Sequence, residues 1–142
     1  MKICLASSWK NETLVFVMAK GLRRAGHEVD AFCEIGPHGR SVFKLVGDSL
    51  LKMNAFDAFR DKRIKQAFEE DRKWLDWCDC CILILPSGKS SHLEAGYAKG
   101  KGKKLIIYHA KGFENGDIDV MYNFADLLTE EIEEIRSFLT KP

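Results

Sequence analysis

Cys80-Cys81-Ile82-Leu83-Ile84-Leu85-Pro86-Ser87-Gly88-Lys89-Ser90-Ser91-His92-Leu93-Glu94-Ala95-Gly96 is the stretch that decides the fold. Residues 80–85 are apolar without interruption, as in a strand covered on both faces, and strands of that kind belong to parallel sheets. Residues 86–90 read as a loop of small and polar residues, and residues 91–101 as a helix. A buried strand, a short loop and a helix in direct succession make half of a βαβ unit.

The same grammar extends outward. Residues 104–109 (KLIIYH) predict a second buried strand, and residues 2–6 (KICLA) a third. Between residues 9 and 25 a helical stripe runs through Val15, Met18, Leu22 and Ala25, with Gly26 placed to end it. Residues 27–32 then read as a strand, and residues 59–78 as a helix. A short helix around residues 42–52 is expected within the less legible stretch 34–59, which opens on the basic turn Gly36-Pro37-His38-Gly39-Arg40. A last helix over residues 130–139 is expected to be capped by Thr129. Strands alternating with helices predict an α/β domain over residues 1–142: a doubly wound, flavodoxin-like or Rossmann-like parallel sheet of five strands.

Composition narrows the function classes. With 46% apolar and 30% charged residues and a net charge of +1, the chain carries no global signature of nucleic-acid or membrane binding. No apolar run approaches the ~20 residues that span a bilayer, and the first six residues are too few for a signal peptide. Four of the five cysteines (Cys4, Cys78, Cys80, Cys81) lie in or beside apolar segments, which suits buried thiols in a reducing cytoplasm. Cys80 and Cys81 should point to opposite faces of their strand, and no metal-ligand spacing stands out. No cofactor is expected.

Ligands in such sheets bind beyond the carboxyl ends of the strands. That singles out Ser7-Ser8-Trp9-Lys10, residues 86–91 and His109-Ala110-Lys111. Two carboxylates sit where chemistry could use them. Asp71 occupies the stripe Ile64, Phe68, Asp71, Leu75, Cys78, and burying a carboxylate on an apolar face is costly unless it is paired. Glu94 follows the most buried strand, in what reads as the first turn of the next helix. Ser91-His92-Leu93-Glu94 also matches a capping box, in which Glu94 would only bond back to the amide of Ser91. Ala95 and Gly96 would let this helix approach the sheet. Gly88-Lys89-Ser90 invites a phosphate-loop reading, but the glycine required five positions earlier is Leu83, so that reading fails. An anion site of Ser87, Gly88 and Ser90 at the helix N-terminus, with Lys89 as charge partner, survives it.

The run Glu69-Glu70-Asp71-Arg72-Lys73-Trp74-Leu75-Asp76-Trp77-Cys78-Asp79, then the strand, Pro86-Ser87-Gly88 and Leu93-Glu94-Ala95-Gly96-Tyr97-Ala98, resembles the nucleoside 2-deoxyribosyltransferase superfamily. That superfamily includes the 2'-deoxynucleoside 5'-monophosphate N-glycosidases. The opening Ala6-Ser7-Ser8 and the closing Val120-Met121-Tyr122-Asn123 also look familial. The resemblance implies Glu94 as nucleophile on the anomeric carbon and Asp71 as the acid/base assisting the base. It implies a covalent ribosyl-glutamate intermediate resolved by a second base (transferase) or by water (hydrolase). It further implies a homodimer or larger assembly in which Tyr122 and Asn123 complete a neighbouring site. Ser7, Ser8, Lys10, Ser87, Gly88, Ser90 and Ser91 form the expected substrate-binding set, with Ser7, Ser8, Lys10, Ser87 and Ser90 toward a 5'-phosphate. Members often carry a tyrosine near the first strand, whereas no tyrosine occurs here before Tyr97. A nucleotide-binding module without turnover and an NAD-type glycohydrolase are the alternatives.

Overall fold

A computed structural model of the chain describes residues 1–34 and 51–141. Five strands form one all-parallel sheet: β1 (Lys2–Ser7), β2 (Glu28–Ala31), β3 (Cys80–Leu85), β4 (Lys104–His109) and β5 (Leu127–Thr129). Their spatial order is β2-β1-β3-β4-β5, the flavodoxin-like order. The chain runs outward from β1 to β2 and then returns past β1 to β3. The strand order therefore reverses between β1 and β3.

The helices among the described residues are α1 (Glu12–Arg24), α2 (Ala55–Arg60), α3 (Lys62–Trp77), α4 (Lys89–Gly100) and α5 (Ile132–Thr140). Side-chain alternation along the strands divides the core in two. Ile3, Leu5, Cys80, Ile82, Ile84 and Ile106 pack under α1 and α5. Cys4, Ala6, Cys81, Leu83, Leu85 and Ile107 pack under α3 and α4. Cys80 and Cys81 thus face opposite sides, as strand geometry requires. All five cysteines are buried free thiols, and burial pushes the Cys80 thiol up to about 12. They act as small apolar fillers.

Strands β3 and β4 coincide with the residues the sequence marks, because continuous burial leaves no other reading. Helix boundaries are shifted by local competition. α4 starts at Lys89 with Gly88 as its N-cap, and the Ser91 hydroxyl donates back to the Gly88 carbonyl at 3.0 Å. Ser91 is therefore inside the helix, the capping box does not form, and Glu94 lies in the second turn rather than the first. Ala95 and Ala98 bring α4 onto the sheet, while a Cβ at Gly96 would meet nothing within 4 Å. The expected helix over residues 59–78 is split at Asp61, whose carboxylate caps α3 by accepting from the Arg63 amide. Phe68 is 59% exposed, and the inward face of α3 instead runs through Ala67, Asp71, Leu75 and Cys78. Ala25 is exposed as the C-cap of α1, and Gly26 follows it at φ +90°, a conformation that favours glycine. Thr129 ends β5 and accepts from the amide of Glu131, the N-cap residue of α5, two positions later than expected. Most of the short helix expected around residues 42–52 lies outside the described residues. Among the described residues, no helix is long and apolar enough to cross a membrane.

The far edge of the sheet is fastened by Asp126. It accepts from Lys99 Nζ at 2.7 Å and from the Leu105 amide at 2.8 Å, joining α4, β4 and the approach to β5. Burial opposes its charge, but Lys99, the Leu105 amide and Lys104 outweigh burial and hold the carboxyl below its ordinary range. A lowered folded-state value means that this contribution is present above the unfolded value and lost as pH falls through the lowered one. Asp126→Asn should therefore be less stable than the parent at neutral pH, with the difference closing below about pH 4. Urea melts recorded across that range check this, and a difference independent of pH would contradict it.

Candidate active site

A cavity of about 330 Å³ opens at the carboxyl ends of β1 and β3, where the strand order reverses. That volume is in the range of small-molecule sites. Its walls are Ser7 at the end of β1, Ser8, Trp9 and Lys10 after it, Phe32 after β2, Asp71 from α3, and Gly88, Lys89, Ser90, Ser91 and Glu94 from the start of α4. Asp71 and Glu94, far apart in sequence, thus border one space.

The wall after β1 is built by short-range bonds. Ser7 ends β1, and its hydroxyl donates to the Ile84 carbonyl of β3 at 2.8 Å. Asn11 Nδ2 donates to Ser7 Oγ at 2.9 Å and to the Pro86 carbonyl at 2.8 Å. One side chain therefore straps the loop after β1 to the loop after β3. Ser8 caps the short 3-10 turn Trp9–Asn11 by accepting from the Lys10 amide. Trp9 meets Phe32 edge-to-face, with ring centroids 5.2 Å apart, forming an aromatic wall.

The opposite wall is the N-terminus of α4. No side chain caps this helix at Gly88, and its first turn brings Lys89, Ser90 and Ser91 to the cavity. The N-terminal end of a helix carries partial positive charge and free amide donors, and Lys10 and Lys89 add full charges. The cavity therefore joins a cationic, donor-rich part to a pair of carboxylates.

Ser87, Tyr122 and Asn123 do not line it. The Ser87 hydroxyl is buried with no hydrogen-bond partner among the described residues. Tyr122 is joined to the site loop through His92, whose Nδ1 lies 2.7 Å from the Gly88 carbonyl and whose Nε2 lies 3.0 Å from the Tyr122 hydroxyl. The two rings also stack. Asn123 Nδ2 donates to the Val120 carbonyl within its own 3-10 turn, Val120–Phe124. Phe32 and Trp9 in the wall, and Asn11 behind it, are residues to which sequence reasoning assigned no role. For Phe32 and Trp9 the only signal was proximity to strand ends, and Asn11 gave none. No group of three or more His, Cys, Asp or Glu side chains suited to a metal occurs among the described residues.

No family model matches the chain, and no curated protein matches it. Solved structures do. A 2-deoxyribosyltransferase from Bacillus psychrosaccharolyticus superposes with a TM-score of 0.67 at 19% identity, covering 95% of this chain and 90% of its own. A CMP N-glycosidase from Clostridium botulinum gives 0.57 at 17% identity over 99% and 100% of the two chains. A response regulator from Thermotoga maritima gives 0.52 at 15% identity, over 97% and 95%. At these identities the likeness shows the fold, and that fold serves proteins with different tasks.

The Asn11 strap yields a direct test. Asn11→Ala removes both bonds that join the two site loops, and each such bond contributes about 1 kcal/mol. The variant should unfold about 1–2 kcal/mol more easily in urea. An unchanged midpoint would show that the strap does not hold the site together.

Proposed function

We propose that this chain cleaves or transfers at the N-glycosidic bond of a nucleoside 5'-monophosphate, as a member of the nucleoside 2-deoxyribosyltransferase superfamily. The observation that carries this reading is the sharing of one cavity by Asp71, Glu94, Lys10, Lys89 and the uncapped start of α4. Structural likeness to a 2-deoxyribosyltransferase and a CMP N-glycosidase supports glycosidic chemistry, and the cationic part of the cavity supports a phosphate.

In this mechanism a Glu94 carboxylate oxygen attacks the anomeric carbon as the carbon–nitrogen bond breaks. The bonding pair leaves with the base, and Asp71 supplies the proton that neutralises it. The sugar is then held as an ester of Glu94. Water, deprotonated by Asp71, or the nitrogen of a second base attacks the same carbon and releases Glu94, with net retention. Lys10, Lys89, Ser8, Ser90 and the α4 amides hold the phosphate, and the wall of Trp9 and Phe32 offers a stacking surface for a base. Ser7 and Ser91 shape the cavity beside them, while Gly88 admits the phosphate close to the backbone. Glu94→Gln should lose all measurable release of free base, and Asp71→Asn about 10²–10⁴-fold in rate. Lys10→Ala and Lys89→Ala should each raise KM for a monophosphate about 10-fold or more, with little effect on the free nucleoside. Chromatography of a ribo- and deoxyribonucleoside and monophosphate panel reads all of these. Full activity in Glu94→Gln would end the proposal.

The assembly follows from the same reading. His92 and Tyr122 bring the turn Val120–Phe124 to the start of α4, and this region leaves Leu93, Ile118, Val120, Met121 and Phe124 between 51% and 80% exposed. Apolar surface of that density fits burial against a second copy, with Tyr122 and Asn123 at the junction. Sedimentation should give a dimer for the parent and a monomer for Val120→Glu combined with Met121→Glu. A parent that sediments as a monomer at assay concentration would contradict this.

A further inference from the structure

One carbonyl in the cavity wall collects three donors. The Gly88 oxygen accepts from the Ser91 hydroxyl at 3.0 Å and from the His92 amide at 3.4 Å, and the His92 ring Nδ1 lies 2.7 Å from it. A carbonyl offers two lone pairs, and the ring contact is the shortest of the three. His92 is the fourth residue of α4, and helical side chains lean toward the N-terminus, so its ring folds back over the turn to the N-cap. His92 and Tyr122 do not line the cavity, whereas Gly88 and Lys89 do. The ring therefore grips the carbonyl from outside the space in which a substrate would sit.

The partners fix which ring nitrogen carries the hydrogen. A carbonyl can only accept, so Nδ1 holds it and donates to Gly88. In the neutral ring Nε2 is then the acceptor, and the Tyr122 hydroxyl, 3.0 Å away, donates to it. Burial, then Asp119 and Asp117, push that hydroxyl up from its ordinary value, so it keeps the proton it donates. Tyr122 is itself anchored. It packs against the core under α3 and α4, and Asp119 caps its turn by accepting from the Met121 amide at 2.8 Å. The chain of bonds thus runs from the turn Val120–Phe124 through the ring to one peptide unit, Gly88–Lys89. That unit is planar and trans, so the Lys89 amide points opposite to the Gly88 oxygen. Holding the oxygen toward His92 turns the amide toward the cavity that Gly88 and Lys89 border.

We propose that His92 is a positioning residue of this active site: by holding the Gly88 carbonyl, its ring aims the Lys89 amide at the 5'-phosphate and so favours a nucleotide over the free nucleoside. This rests on the monophosphate reading above. The physical basis is that a donor fixed before binding needs no ordering when the anion arrives, and that hydrogen bonds to a charged acceptor are the strong ones. His92 touches no reacting atom, so its effect belongs to binding of the phosphate and not to the bond that breaks.

His92→Ala removes the grip. KM for a monophosphate should rise about 10-fold, while kcat and the KM for the free nucleoside stay near the parent values. His92→Asn, whose side-chain amide nitrogen sits where Nδ1 does, should keep the Gly88 bond and return KM toward the parent. The Lys89 amide resonance, followed by NMR during titration with ribose 5-phosphate, gives a readout without turnover. Its response should need about 10-fold more of this probe in His92→Ala, and no more than the parent in His92→Asn. A folded His92→Ala protein that matches the parent in both measurements would overturn the proposal. So would an equal loss of kcat on nucleoside and monophosphate, or a His92→Asn protein as weak as His92→Ala. A parent whose Lys89 amide ignores the probe fails the phosphate reading itself, and this inference with it. Full activity in Glu94→Gln ends only the glycosidic chemistry, and the titration still decides whether His92 sets the phosphate site.

Discussion

The structure depends on β3 being buried on both faces. Cys80 to Leu85 are each no more than 5% exposed, with β1 hydrogen-bonded on one side and β4 on the other. A strand so placed needs helices over both faces, and here both of its neighbours run parallel to it. That forces right-handed crossovers and sends every strand's carboxyl end to the same edge of the sheet. The reversal between β1 and β3 then opens a gap at that edge, because the connections after the two strands leave toward opposite faces: α1 covers one and α4 the other. The cavity is a consequence of topology before any catalytic residue is considered.

What the cavity can do is set by the charge placed around it. Backbone dipoles and two lysines gather at the start of α4 and the loop after β1, while the carboxylates come from the second turn of α4 and the middle of α3. Such separation within one small space suits a substrate that is anionic at one end and develops positive charge at the other, as a nucleotide does when its glycosidic bond breaks. Rigidity matters as much as charge. The Asn11 strap joins two loops, and His92 joins the α4 N-terminus to the turn around Tyr122, so the wall residues are held by bonds outside the cavity.

The fold was legible in the sequence where burial dominates and less so where local bonds compete. Strands β3 and β4 are read from unbroken apolar runs, to the residue. Ser91 looked like a helix cap because its spacing to Glu94 is right, yet the backbone enters the helix two residues earlier and turns the Ser91 hydroxyl back to Gly88. Thr129 looked like a cap and instead serves the amide of Glu131 from the end of a strand. Phe68 fitted a four-three spacing, but Ala67, three after Ile64 and four before Asp71, takes the inward position in the fold, and the Phe68 ring faces solvent. In the site, Asp71 drew attention because it breaks an apolar stripe, and Ser7, Ser8 and Lys10 because they follow a strand. Phe32 had only its place at the end of a predicted strand, and Asn11 gave no signal at all.

The removal of the capping-box reading bears most on function. A glutamate that bonds to its helix's own first amide is accounted for by local structure, and its position near the strand ends would then be incidental. Here Ser91 is inside α4, so Glu94 cannot occupy the capping-box position and is instead presented, one helical turn further on, to the same cavity as Asp71. Two residues placed on separate helices, one interrupting an apolar face and the other displaced from a capping role, converge on the gap that the sheet topology opens. The response regulator shares this sheet, so topology alone does not assign a reaction. The convergence of the carboxylates, opposite lysines and free helix amides, is what separates a glycosidic reading from a fold analogy.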